Sequence, residues 1–251
     1  MRSKNGGDIK LPDRKSEIYR NEWKYIISQG EKEALKVRMK PVFAMDSNAG
    51  DTGYMIRSLY FDDYWNSAYE EKEAGILVRK KYRIRIYNCS DKSIKLERKK
   101  KVGSYIYKEA ASLTREEVEK ILAGDYDFLL KSPKRLCQEF YVECISHMMR
   151  PRVIVDYDRE PYIMDEGTVR ITFDSHVRAS VLSNDIFDPT LPSMETMEPG
   201  KLIMEVKFTE FLPQIVRNLL PPRAEEFTAV SKYVLCYEKT RYLNSWNYWE
   251  E

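Results

Sequence analysis

Between Arg79 and Lys101, eleven basic residues stand against two acidic ones, a +9 segment in a 251-residue chain whose net charge is only +2. The remaining residues therefore sum to −7, so the positive charge is concentrated rather than general. In Arg79-Lys80-Lys81-Tyr82-Arg83-Ile84-Arg85-Ile86-Tyr87, a strand period of two puts Arg79, Lys81, Arg83 and Arg85 on one face and Tyr82, Ile84 and Ile86 on the other. Arginine forks and lysine point charges are the usual partners of phosphate oxygens. One face of this strand suits anions and the other suits packing.

The elements that would position these cations repeat the pattern. Arg20, Glu22 and Lys24 oppose Tyr19, Trp23 and Tyr25 in a first strand, and a second is expected over 56–62. Strands over 78–88 and 93–100 form a hairpin across Cys89-Ser90-Asp91-Lys92, and further strands are expected over 151–159, 169–174 and 201–208. Collected by phase, the polar set is Arg20, Glu22, Lys24, Lys81, Arg83, Arg85, Lys95, Glu97, Lys99, Tyr157, Arg159, Arg170, Glu205 and Lys207. Cations held this close repel by several kcal/mol at an effective dielectric of about 20, a penalty that a bound polyanion removes. The sparse carboxylates suit a divalent, oxygen-liking cation that bridges phosphates.

A solvated sheet face explains any one of these strands. Its recurrence in almost every strand also fits an α+β fold in which an antiparallel closed β-barrel lines a tunnel with its polar faces and helices pack outside. Ser28-Gln29-Gly30-Glu31 and Thr114-Arg115-Glu116-Glu117 are capping boxes, and helices are also expected after Pro213 and over 227–239. The stretch 182–200 reads as a surface loop.

Composition narrows the chemistry. With 43% hydrophobic and 12% aromatic residues the chain holds enough material for a substantial core. It has no run of roughly eighteen apolar residues and no apolar secretory leader, so it reads as a soluble cytoplasmic protein without a membrane segment. Cys89, Cys137, Cys144 and Cys236 form no Cys-x-x-Cys pair and do not join His147 or His176 at zinc-ligand spacing, which fits reduced, buried thiols. No Gly-x-Ser-x-Gly turn is present, so catalysis would rest on carboxylates, cations and metal.

Eight motifs then occur in a specific order: Tyr19-Arg20-Asn21-Glu22-Trp23-Lys24-Tyr25, Ser58-Leu59-Tyr60-Phe61-Asp62-Asp63, Lys81-Tyr82-Arg83-Ile84-Arg85, Leu96-Glu97-Arg98-Lys99, Tyr157-Asp158-Arg159, Val169-Arg170-Ile171-Thr172-Phe173-Asp174, Met204-Glu205-Val206-Lys207 and Ser231-Lys232-Tyr233. In this order they resemble the VTC domain, the catalytic part of the vacuolar transporter chaperone polyphosphate polymerase and a branch of the triphosphate tunnel metalloenzymes. The resemblance covers roughly 17–237, and the chain divides into a tail at 1–16, a tunnel domain at 17–240 and a tail at 241–251.

The resemblance implies that Lys24, Arg83, Arg85, Lys99, Arg159 and Arg170 are the catalytic tunnel cations. Tyr157, Lys81, Lys108, Lys207, Ser231 and Lys232 would contact substrate, and Glu205 with Glu22 would hold Mn²⁺ or Mg²⁺. Many tunnel enzymes begin with Glu-x-Glu-x-Lys where this chain has Arg20-x-Glu22-x-Lys24, one acidic ligand fewer, which favours the polymerase branch. The implied reaction transfers the γ-phosphate of ATP to a growing inorganic polyphosphate chain and releases ADP. Two other readings stay open: a tunnel triphosphatase acting on tripolyphosphate or nucleoside triphosphates, and a non-catalytic module for RNA or another polyanion. Alternation into an enclosed face argues against nucleic acid as the partner.

Overall fold

The structure, a computed structural model, describes residues 21–103, 105–165, 168–209, 211–221 and 230–243. Tyr19, Arg20, the 1–16 tail and most of the aromatic C-terminal stretch lie outside the described residues.

Strand β1 (Asn21–Ser28) runs directly into helix α1 (Gln29–Met39). Ser28 closes the expected capping box: its hydroxyl accepts from Glu31 N at 3.2 Å, and its own N–H donates to the Glu31 carboxylate at 2.6 Å. The short β2 (Ala44–Met45) and the long β3 (Tyr54–Asp62) precede α2 (Ser67–Glu73), whose first-turn donors Ala68 N and Tyr69 N are met by Asp62 at 2.9 and 3.1 Å. Strands β4 (Val78–Tyr87) and β5 (Ser90–Val102) meet over Asn88 and Cys89, with φ of 50° and 52°, the left-handed pair of a two-residue hairpin turn. Asn tolerates that conformation, so the turn starts one residue earlier than the spacing predicts.

Strand β6 (Tyr105–Leu113) lies beside β5. It escapes sequence analysis because Ala110-Ala111-Ser112 has weak strand propensity. The second capping box, Thr114 with Glu117, opens α3 (Arg115–Leu122), followed by α4 (Asp127–Leu130) and α5 (Arg135–Ser146). Strands β7 (Arg150–Met164), β8 (Val169–Ser180), β9 (Ser193–Glu195) and β10 (Lys201–Phe208) complete the sheet, and α6 (Gln214–Leu219) and α7 (Lys232–Thr240) end the described chain. The 182–200 loop is anchored: the buried guanidinium of Arg57 donates to Ile186 O at 3.4 Å and to Asp188 O, and β9 pairs with β8.

All ten strands belong to one antiparallel sheet in the order β1-β10-β8-β7-β3-β4-β5-β6, with β2 on β7 and β9 on β8. In a flat sheet the six steps from β1 to β5 would separate them by ~29 Å. Yet Lys99 Nζ on β5 lies 2.6 Å from Glu22 Oε2 on β1, so the sheet curls until its ends face one another. Closure stops short of the expected barrel. Edge strands β1 and β6 approach but share no ladder among the described residues, so the sheet curls without the backbone pairing, about 4.8 Å between strands, that would close it.

Two apolar layers cover the convex face. Leu59, Phe61, Tyr82, Ile84, Leu96 and Ile154 pack against Val118, Ile121, Leu129, Leu136 and Phe140 of α3–α5, while Tyr25, Ile27, Ile171, Phe173, Met204 and Val206 pack against α1 and α6. Helix α7 departs from the expectation that all helices lie outside. Its Tyr233, Val234, Cys236 and Tyr237 pack on Ile56, Val153, Val155, Val177, Ala179 and Ile203, which share the concave face with the charged residues. These apolar positions fill one end of the concave face and leave it no water-compatible role, so an amphipathic helix is the element that can cover them. No helix among the described residues is long and apolar enough to cross a membrane.

Candidate functional site

The concave face carries its charges in register. Antiparallel pairing sets Lys24 opposite Glu205 and Glu22 opposite Lys207 on β1 and β10, Arg83 opposite Glu97 and Lys81 opposite Lys99 on β4 and β5, and Arg159 opposite Asp174 on β7 and β8. Curling brings these pairs into two poles.

At the first pole Glu205, 4% exposed, accepts from Lys207 Nζ at 2.6 Å and Lys232 Nζ at 2.8 Å, with Arg159 Nη2 at 3.4 Å and Lys24 Nζ at 3.7 Å. Asp174 is fully buried and takes both Arg159 donors at 2.6 Å and Lys232 Nζ at 2.6 Å. Glu22 adds Lys99 at 2.6 Å, Lys207 at 3.8 Å and Lys24 at 3.9 Å. Burial alone would raise these carboxyl groups, but the surrounding cations outweigh it and hold all three below the usual carboxylate range.

At the second pole Glu97 accepts from Arg83 Nε and Nη2 at 2.7 and 2.6 Å and from Lys108, with Arg85 Nε at 3.7 Å. Burial opposes its ionisation, and Arg83, Arg85 and Lys108 again win. Tyr60 OH accepts from Arg83 Nη1 at 2.7 Å, and Tyr157 OH accepts from Arg85 Nη2 at 3.3 Å while its ring lies under Arg159 and Lys232.

The structure thus gathers Glu22, Lys24, Arg83, Arg85, Lys99, Lys108, Tyr157, Arg159, Glu205, Lys207 and Lys232 around one interior. Arg170 stands at the rim, paired with Asp46 at 2.9 Å and near Tyr54 OH at 3.4 Å. Lys81 and Ser231 meet at 3.2 Å, with the ammonium 4.7 Å from the Tyr233 ring centroid. Among the described residues Lys81 is the interior lysine with no carboxylate partner, and burial, reinforced by Lys24, lowers its pKa to about 7. Burial also lowers Lys99, to about 8, with Glu22 opposing the shift.

Sequence reasoning assigned no role to Asp174, Tyr60 or Ser58. Their phase was the available signal: Asp174 shares a face with Arg170 and Thr172, and Tyr60 and Ser58 face Arg83 and Arg85 across the β3–β4 ladder. Arg98 faces outward but is buried, pairing with Glu109 at 2.5 Å and with Glu139 of α5.

Nine cations (Lys24, Lys81, Arg83, Arg85, Lys99, Lys108, Arg159, Lys207 and Lys232) enclose four carboxylates (Glu22, Glu97, Asp174 and Glu205). The excess positive charge suits a compact polyanion. Among the described residues no three Asp, Glu, His or Cys side chains converge as a self-sufficient metal cage. Glu22 and Glu205 nevertheless share two ammonium groups, those of Lys24 and Lys207, and so already face a common cationic position. Two hard carboxylates completed by phosphate oxygens are a donor set that fits Mg²⁺ or Mn²⁺.

Comparison with known proteins agrees with this geometry. The family profile for the VTC domain matches residues 19–241. A putative adenylyl cyclase from Hippeastrum, described as having a dominant triphosphatase activity, superposes with a TM-score of 0.52 at 14% identity, covering 88% of this chain and 95% of that one. The PH1819 protein from Pyrococcus horikoshii gives 0.48 at 17% identity over 88% and 99% of the two chains. No curated protein sequence matches significantly. The curled ten-stranded sheet, its enclosed cations and the profile match over nearly the whole described chain lead to one assignment: this chain belongs to the VTC domain family.

Proposed function

We infer that the chamber is a polyphosphate polymerase, transferring the γ-phosphate of ATP to the end of an inorganic polyphosphate chain. The observation that carries this reading is the state of the carboxylates. Each of the four interior ones is gripped by at least two cations and held ionised and weakly basic, so none is suited to take a proton from water. Attack by water releases a proton that some group, a phosphate oxygen included, must take. A chain-terminal phosphate is already ionised and attacks without a base.

In this reading the terminal oxygen forms a bond to Pγ as the bond from Pγ to the bridging oxygen breaks, and ADP departs with the electron pair. Arg83, Arg85, Lys99, Lys24 and Arg159 neutralise the charge spread over the transferred group, and Tyr157, Ser231, Lys81, Lys108, Lys207 and Lys232 position the flanking phosphates. Arg170 receives phosphate at the rim. Glu205 and Glu22 would hold Mn²⁺ or Mg²⁺, which supplies further charge neutralisation and template order when bound. With metal held there, Lys24 and Lys207 would turn from these carboxylates toward phosphate. The tunnel domain spans 17–240, and a cytoplasmic location gives it access to ATP.

A second reading, a tunnel triphosphatase, draws on the likeness in fold to the Hippeastrum protein described as having a dominant triphosphatase activity. Product analysis separates the two. Incubation with ATP and Mn²⁺ is expected to give ADP and acid-labile chains that grow with time on a gel. Orthophosphate in step with ADP, and no chain, would replace the polymerase by the hydrolase.

A further inference from the structure

Asp62, at the end of β3, is a buried carboxylate that neither pole uses. Its Oδ1 accepts from Asp63 N at 3.0 Å and Ala68 N at 2.9 Å, and its Oδ2 accepts from Tyr69 N at 3.1 Å and the Tyr233 hydroxyl at 2.6 Å. A carboxylate out of water needs donors on both oxygens, and a short O–H donor to a carboxylate is among the strongest. Three of these bonds stay within β3 and the first turn of α2. The fourth reaches across to the first turn of α7, so Asp62 ties that helix to a fixed point of the sheet.

The tied turn is the one that enters the chamber. Lys232, the residue before Tyr233, spans Asp174 at 2.6 Å and Glu205 at 2.8 Å. The buried Tyr233 ring stacks on Tyr60 with centroids 5.1 Å apart and lies 4.7 Å from Lys81 Nζ. Apolar packing under α7 is non-directional and lets the helix slide or turn; a hydrogen bond is directional and does not. A second tie from α2, the Tyr69 hydroxyl to Glu238 at 3.1 Å, is exposed and lies more than a turn farther along. Misplacing a reacting contact by about 1 Å costs on the order of 10²-fold in rate. We propose that Asp62 and the Tyr233 hydroxyl are a positioning pair that fixes the first turn of α7 and thereby holds Lys232 against the bound phosphates. The pair rests on the phosphate-chamber reading and deepens it: the chamber is completed by a helix whose register is set from outside both poles.

The test is a double-variant cycle read by metal-free calorimetric titration with tripolyphosphate: wild type, Tyr233→Phe, Lys232→Gln and the two together. Phenylalanine keeps the ring, its stack and its contact with Lys81 and removes the hydroxyl alone. Tyr233→Phe is expected to melt roughly 5 °C lower, still folded, and to bind tripolyphosphate about tenfold more weakly. Lys232→Gln should also bind more weakly, and adding Tyr233→Phe to it should change the affinity by less than about twofold, because the pair acts through that ammonium. A bond that only stabilises the fold lowers the melting temperature and leaves the affinity of the folded protein where it was. Wild-type affinity in Tyr233→Phe, or losses that multiply in full in the double variant, overturns the positioning pair while leaving the chamber intact. Absence of tripolyphosphate binding to wild type overturns both.

Discussion

An Asp174→Ala variant is expected to melt roughly 10 °C below wild type, because it leaves Arg159 and Lys232 in the interior without their closest counterion, a loss of about 3–5 kcal/mol in a chain of this size. Asp174 is fully buried and holds both cations at 2.6 Å, and the remaining carboxylate, Glu205, stands farther away at 3.4 and 2.8 Å. If these cations await a phosphate, tripolyphosphate should raise the melting temperature of the variant more than that of wild type, since the anion supplies the missing charge as well as the ordinary stabilisation by binding. Thermal melts with and without the anion decide it. An unchanged melting temperature would show that Asp174 is dispensable, and an equal anion effect in both proteins would place Arg159 and Lys232 outside the anion site.

Glu205→Gln is expected to lower metal-dependent turnover on the order of 10²–10³-fold, the scale of losing a preorganised electrostatic group at a phosphoryl centre. Glutamine keeps the volume and removes one negative charge from among Lys24, Lys207, Lys232 and Arg159. Metal-free affinity for tripolyphosphate should therefore hold or rise. That split separates metal holding from phosphate holding: a parallel loss of both would make Glu205 a structural counterion, and normal turnover with metal would remove it from the metal site.

The strand phase made much of the chamber legible before any coordinates. Arg83, Arg85 and Glu97, like Glu205 and Lys207, alternate with apolar residues that the convex layers bury, and a period of two fixes which side each takes. What phase cannot supply is the partner from a distant strand. Nothing in the sequence joins Glu22 to Lys99, which lie 77 residues apart and meet only because the sheet curls. Asp174 was opaque for the same reason: an Asp in a strand reads as solvated until Arg159 arrives beside it through the β7–β8 register. Arg170 was in phase but belongs to the rim, drawn there by Asp46 on a turn that carries no periodic signal.

Helix α7 illustrates a different limit. Val230, Val234 and Tyr237 announce a helix with one apolar face, but periodicity is silent about which layer receives it. The receiving surface is the set of small and β-branched residues on the concave face, Val153, Val155, Val177, Ala179 and Ile203. Docking there delivers Ser231 and Lys232 to the chamber, so the helix completes the site. The open seam between β1 and β6 was equally hidden, since alternation is identical in a closed barrel and in a curled sheet.

The measurement closest to the core of this account is calorimetric titration of the metal-free protein with tripolyphosphate at pH 7 and pH 9, beside a single-stranded RNA control. Lys81 faces Lys24, Asp62, Lys72, Arg79, the Ser231 hydroxyl and the Tyr233 ring, and sits near pKa 7 when free. A bound polyanion favours its protonated form and raises that pKa, so binding takes up protons and the affinity falls as pH climbs past the free value. The expected result is one tripolyphosphate per chain, tighter at pH 7 than at pH 9, with RNA bound weakly or not at all. Tight RNA binding with no response to tripolyphosphate would contradict an enclosed phosphate chamber outright.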